Sequence, residues 1–137
     1  MNKMADPGLE VNPDEALDFL EMIAGDDPVA LCAMDPDAGP AAGGLVRVDR
    51  RQALGDWLAK QNANRNVYYT LNIPRPGAKG VHGKLRKDEI GAIRGVAADL
   101  DPNDERPRDA LLRLADEWAK RTDFPPTLIV DSGNGVQ

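Results

Sequence analysis

Two short apolar runs, "AIRGVAADL" and "PTLIV", stand on either side of the stretch "RPRDALLRLADEWAKR", and this arrangement narrows the possible folds more than any other feature of the chain. In the middle stretch Leu111, Leu114, Ala115 and Trp118 recur at helical spacing, so they share one helix face and read as core residues. The flanking runs lack that period, and the almost continuous apolar character of "TLIV" suits a strand covered on its faces. A strand, a crossover helix and a second strand place both strands in one sheet. The expectation is therefore an α/β fold with a mixed sheet and crossover helices.

Upstream, α and β signals alternate. "NPDEALDFLEMIAG" has Asn12 as N-cap, Pro13 at the first helical position and Glu15 three residues after the cap, with Leu17, Leu20 and Ile23 on one side before Gly25 stops it. "PVALCAM" and "GLVRV" read as short strands around a flexible "DPDAGPAAGG" loop, and "AGPAAGG" is the one low-complexity piece. "DRRQALGDWLAKQNA" reads as a helix with Ala53, Leu54, Trp57 and Leu58 turned inward, and "NVYYTLN" as a strand cut off by "IPRPG". Helices are expected over 13–24, 50–62 and 107–121.

At 137 residues and 42% hydrophobic content, the chain suffices for one globular domain with a core. We divide it into a helical extension, 1–27, and a domain over 28–137. The 23 acidic and 17 basic residues give a net charge of −6, so a polyanion would need a local basic patch. The segment from Arg75 to Arg94 supplies one: Arg75, Lys79, Lys84, Arg86, Lys87 and Arg94 stand against Asp88 and Glu89. His82 lies in the same segment with no second ligand nearby and reads as a surface residue. Cys32, the single cysteine, has no internal disulfide partner and fits a buried position in a reduced, cytoplasmic setting. No run has the apolar core of a signal peptide or the length of a membrane span, so no membrane partner is expected.

The chemistry concentrates in two places. In a strand, residues two apart point to the same face, so Asp99 and Asp101 would project side by side with Leu100 turned into the core. Two such carboxylates repel unless a cation such as Mg²⁺ or Mn²⁺ lies between them, and a cation with open positions suits phosphate oxygens. The plainer alternative is that "DPND" is a polar turn leading to a helix. "VDSGNGVQ" holds glycines on both sides of Asn134, in a turn that can bring backbone N–H groups close to an anion, or that is simply a hairpin turn.

An apolar strand ending in Asp-x-Asp, a crossover helix, and a strand leading into Ser-Gly-x-Gly-x-His or Gln together resemble the primase–polymerase catalytic domain of the archaeo-eukaryotic primase superfamily, especially the RepB-like primases of plasmids and phages. The resemblance extends upstream through "NVYYTLNIP" and covers roughly residues 28–137. It implies a sheet of the primase–polymerase, RRM-like palm type, incomplete at its C-terminal side. It also implies that Asp99 and Asp101 bind the catalytic Mg²⁺ or Mn²⁺ ions, and that Ser132, Gly133, Asn134, Gly135 and Gln137 hold the triphosphate of an incoming nucleotide. The implied reaction is nucleotidyl transfer making primers on a single-stranded DNA template from nucleoside triphosphates, with a replicative helicase in cis or in trans. Lys84 and Arg86 are assigned to template or phosphate from charge alone.

Two departures from the family pattern stand out. Gln137 replaces a histidine common in the superfamily; it can donate to phosphate but carries no charge. The hairpin strand after Gly135 and the third metal-binding aspartate are not in this sequence, which therefore reads as the N-terminal part of a longer primase or a truncated product. On that view "PTLIV" becomes an exposed sheet edge, open to pairing with another chain. Two other functions fit part of the pattern. An Asp-x-Asp glycosyltransferase accounts for the metal pair but not for the Ser-Gly-Asn-Gly turn. A non-catalytic replication module, binding single-stranded nucleic acid or a helicase, accounts for the missing aspartate.

Overall fold

Asn12 opens the first helix of the computed structural model, which describes residues 12–131 and residue 136 of the chain. Its side-chain oxygen accepts from the Glu15 N–H at 3.3 Å, Pro13 takes the first helical position, and α1 runs over Pro13–Ala24 to Gly25, as the sequence predicts. The chain then enters β1, Val29–Asp35, in which Val29–Ala33 are all buried. β1 is the middle of a three-stranded antiparallel sheet, flanked by β2, Gly39–Val46, and by β3, Asn66–Thr70. Helix α2, Arg51–Asn62, returns from β2 to β3. Leu17, Leu20 and Ala24 of α1 share one core with Val29 and Leu31 of β1, Val48, and Leu54 and Leu58 of α2.

Three details differ from the sequence reading. The glycine-rich "AGPAAGG" is mostly strand, because only residues 36–38 turn and β2 begins at Gly39. β2 pairs along its length with β1 and takes one extra residue where the register shifts between Ala33 and Met34, a bulge that fits an edge strand carrying Pro40. In α2, Ala53 is exposed, and the inward face is made by Leu54, Trp57, Leu58 and the buried Gln61, whose side-chain oxygen accepts from Arg65 at 2.6 Å. The third detail concerns the extension drawn over 1–27: its helix α1 belongs to the same core as β1 and α2.

After β3 come a two-residue strand β4, Ile73–Pro74, and its antiparallel partner β5, Ile90–Ala92, with the basic segment looping between them. That loop packs directly on the sheet. A Cβ on Gly83 would lie 1.6 Å from the Leu31 carbonyl oxygen, and one on Gly43 would lie 2.1 Å from the same atom. The described residues divide into two compact units at this point, one covering Glu10–Gly95 and the other containing Val96–Gln137.

In the second unit α3 runs over Arg108–Ala119, inside the predicted helix. The expected flanking strands are far shorter than predicted. Residues 93–99 and 126–130 are in no strand, and the pairing is confined to two antiparallel bridges, Leu100 with Val136 and Asp131 with Val136. The first run is open to solvent, with Ile93 74% exposed and Val96 98%, and in the run expected to be covered Leu128 is exposed and Ile129 and Val130 are half-buried. Val136 is the partner in both bridges. Val136 is buried with Leu111 and Ala115, and Leu100, Leu112 and Ile129 pack against them. No helix among the described residues is long and apolar enough to cross a membrane.

The close approach at Gly83 predicts a contrast between two glycines. Gly83 has φ +77, so Gly83→Ala adds a left-handed alanine to a clash with the β1 backbone and should cost about 2–5 kcal/mol. Gly44 has open space around its Cβ position, and Gly44→Ala should be neutral or stabilising by up to about 1 kcal/mol. Urea unfolding of both variants checks this; equal effects would mean that the loop does not press on the strand.

Candidate functional site

Leu100 is the anchor between the two candidate metal-binding aspartates. Its N–H donates to the Val136 carbonyl at 2.9 Å, and the Val136 N–H donates back at 3.1 Å. Its side chain is half-buried against the Leu111, Ala115 and Val136 cluster, while Asp99 and Asp101 on either side of it are exposed. Residues 100, 136 and 131 therefore lie side by side with Val136 in the middle. Both bridges are antiparallel, so the chain runs in the same direction through Leu100 and through Asp131. The assigned triphosphate-binding residues Ser132, Gly133, Asn134, Gly135 and Gln137 lie outside the described residues.

The "DPND" turn is held by Asn103. Its side-chain oxygen accepts from the N–H groups of Glu105 at 3.1 Å and Arg106 at 2.8 Å, and Asn103 and Arg106 also exchange backbone hydrogen bonds. This turn delivers the chain to Pro107, directly before α3, so Pro107 occupies the N-cap position without a side-chain hydrogen bond. Arg108, the first residue of the helix, reaches across to Asp131 with a 2.7 Å ion pair. Sequence reasoning missed this pair. The two residues are separated by the whole helix, and no local pattern links them.

Asp99 and Asp101 offer hard carboxylate oxygens of the kind Mg²⁺ and Mn²⁺ take, and such ions commonly bind through one or two carboxylates together with substrate phosphates. Among the described residues no group of three His, Cys, Asp or Glu side chains is placed to hold a metal ion.

Lys84 and Arg86 belong to the Glu10–Gly95 unit, and Asp99 and Asp101 to the other. Both cations are exposed, but Arg86 has acidic neighbours in its own loop: its Nε lies 3.7 Å from Asp88 and 3.8 Å from Glu89. Arg94 pairs with Asp27 at 3.2 Å. The organiser of the segment is Glu89, 3% exposed, whose two carboxylate oxygens accept from the N–H groups of Lys79 at 2.7 Å, Gly80 at 3.3 Å and Arg86 at 3.0 Å. His82 is exposed, as predicted, with a left-handed backbone at φ 53.

Comparison of the chain with protein-family models, curated proteins and solved structures found no match.

The Glu89 carboxyl is held below the usual glutamate range, first by the Arg86 N–H and then by those of Lys79 and Gly80, with the Arg86 charge adding to them against the opposing effect of burial. A carboxyl with a depressed folded-state value stabilises the fold above its unfolded value, about pH 4.3, and that contribution fades as the pH falls through the folded value. Amide protection factors at Lys79, Gly80 and Arg86 should therefore collapse together on acidification below about pH 4. Glu89→Gln should lower them at neutral pH and remove the acid dependence. Unchanged protection in Glu89→Gln would show that the loop is ordered by something else.

Proposed function

We propose that this chain carries the metal-binding part of a primase–polymerase active site, with Asp99 and Asp101 as ligands of Mg²⁺ or Mn²⁺ and the 132–137 segment as the binder of a nucleoside triphosphate. The observation that carries the reading is the position of Val136 between Leu100 and Asp131. Two segments running in one direction, joined by α3 and bridged by Val136, are the pairing that a split β-α-β unit would have, and such a unit would be half of a ferredoxin-like or RRM-like sheet. In open α/β sheets ligands bind outside the carboxyl ends of the strands, the end at which Asp101 follows Leu100 in this reading.

In this reading Leu100 sets the backbone between the two carboxylates through its pairing with Val136 and its half-buried side chain, and the Arg108–Asp131 pair ties the second segment to the start of α3. The backbone N–H groups of the Ser-Gly-Asn-Gly segment receive phosphate oxygens, and Gln137 donates to them as a neutral group. A divalent ion held by the aspartates would supply positive charge where a primer 3′ hydroxyl meets the α-phosphate. Lys84, together with the other exposed cations of the 75–94 segment, attracts the single-stranded template through its phosphates. A replicative helicase, in cis or in trans, would supply that strand.

The test separates metal-dependent nucleotide chemistry from a structural turn. The protein should bind a nucleoside triphosphate in the presence of Mn²⁺ and not in EDTA, by calorimetry, and should extend or make primers on single-stranded DNA only with the metal. Asp99→Asn and Asp101→Asn should each weaken Mn²⁺ binding by about tenfold or more, with a melting temperature that is level or raised because repulsion between the carboxylates is relieved. Near-normal Mn²⁺ and nucleotide binding by the double variant would remove the metal site, and with it the primase reading. Metal-dependent binding of nucleotide sugars without template-dependent synthesis would point instead to glycosyl transfer.

A further inference from the structure

The Glu10–Gly95 unit contains a cleft of about 500 Å³ between β2, the residues that follow it and the first two turns of α2. Its floor is apolar, made by Leu31, Val46 and Leu54, and the half-buried indole of Trp57 forms one wall. The cleft is open because of Gly44. That glycine is paired with Leu31 across the sheet, and a Cβ built on it meets nothing within 4 Å. Gly43 beside it is required by the backbone that approaches it, but Gly44 has neither a close neighbour nor a positive φ. A glycine inside a strand costs about 0.5–1 kcal/mol relative to alanine, and packing gives no reason for it here. What Gly44 does provide is room above Leu31.

The rim is charged. Arg47 donates to the Asp26 carbonyl and keeps the rest of its guanidinium, and Arg50 has no ion-pair partner among the described residues. Asp49 stands between them in sequence and lines the same cleft. The neighbouring Arg51, by contrast, is fully engaged with Asp18 and Glu21, each at 2.7 Å. An indole beside an apolar floor suits a flat ring, two guanidinium groups suit a phosphate, and a carboxylate at the same rim suits a sugar hydroxyl. The volume is that of a small-ligand site.

We propose that this cleft binds one nucleoside phosphate unit, with the base between Trp57 and the floor, the sugar at Asp49 and the phosphate at Arg47 and Arg50. The site needs no metal and does not depend on the role given to Asp99 and Asp101. The unit is either a free mononucleotide or the phosphorylated end of a single strand, which share this chemistry.

Trp57 reports on the site once the other tryptophan is removed by Trp118→Phe. In EDTA, AMP should quench Trp57 fluorescence saturably, and ribose 5-phosphate or adenosine, each lacking one recognised part, should bind at least about tenfold more weakly. A 5′-phosphorylated tetraadenylate that binds more tightly than AMP would identify the end of a strand as the occupant; equal or weaker binding would identify the free nucleotide. Gly44→Leu, which fills the floor, should abolish the AMP signal. Arg50→Gln, an exposed change outside the core, should weaken it by about tenfold with an unchanged circular dichroism spectrum. The proposal is overturned by the absence of saturable quenching with either probe. Binding that survives both Gly44→Leu and Arg50→Gln, or AMP binding no tighter than that of adenosine, overturns it as well.

Discussion

Strand β1 is buried on both faces, and the Glu10–Gly95 unit is built to satisfy that one constraint. Its residues Val29–Ala33 are each 5% exposed or less, so no water reaches their peptide groups, and an unpaired one would cost about 1–3 kcal/mol. β2 and β3 pair with the strand from either side and remove that cost. Val29 and Leu31 pack with α1 and α2. Ala30 and Cys32 alternate to the opposite face, where Leu45, in register with Ala30, meets the turn at Gly80. The turn comes so close to β1 that Gly83 has no room for a side chain. Thus the basic segment, which in sequence stands out as a charged patch, serves as the cover of a sheet face.

That structural duty changes what the charges of the segment can do. Five basic residues on the loop between β4 and β5, with Arg94 just after β5, repel one another, and a loop held against a sheet cannot spread to relieve the repulsion. Glu89 answers this from within by gathering three backbone N–H groups onto one buried carboxylate. Asp88 lies near Arg86, and Asp27 holds Arg94 from the turn after α1. Arg75, Lys79, Lys84 and Lys87 remain as exposed cations without an ion pair among the described residues. The positive charge presented to a polyanion is therefore smaller than the composition of the segment implies, but it is carried on a fixed frame.

The helices were legible in the sequence because their signals are local. Asn12, Pro13 and Glu15 mark the start of α1 within one turn, and the spacing of Leu111 and Ala115 marks the buried side of α3. The strands were less legible, since a strand exists only where a partner lies beside it. "AIRGVAADL" has apolar content enough for a strand, yet it gains a ladder neighbour only at Ala92 and Leu100, and the residues between, apart from the half-buried Arg94, stay exposed. The reverse holds for "GPAAGG", whose composition argues for a loop but which pairs because β1 needs a neighbour. Of the candidate site, Asp99 and Asp101 are exposed on either side of a half-buried Leu100. The Arg108–Asp131 pair, the glycine-floored cleft and the Glu89 hub depend on contacts between distant parts of the chain, which no local pattern reveals.

The geometry around the two aspartates rests on a residue that bears no chemistry. Val136 contributes two hydrogen bonds to Leu100, a bridge to Asp131, and a side chain buried to 3% exposure between Leu111 and Ala115. Burial of such a side chain is worth about 1.5–3 kcal/mol, a large share of what so small a cluster can supply. Without this residue Leu100 would keep its contact with α3 but lose its ladder partner, and nothing would hold the Asp-x-Asp segment parallel to the segment ending at Asp131. The Arg108–Asp131 pair would then tie only one side of the unit to the helix. The backbone between the two exposed aspartates is therefore held by a hydrophobic insertion at residue 136.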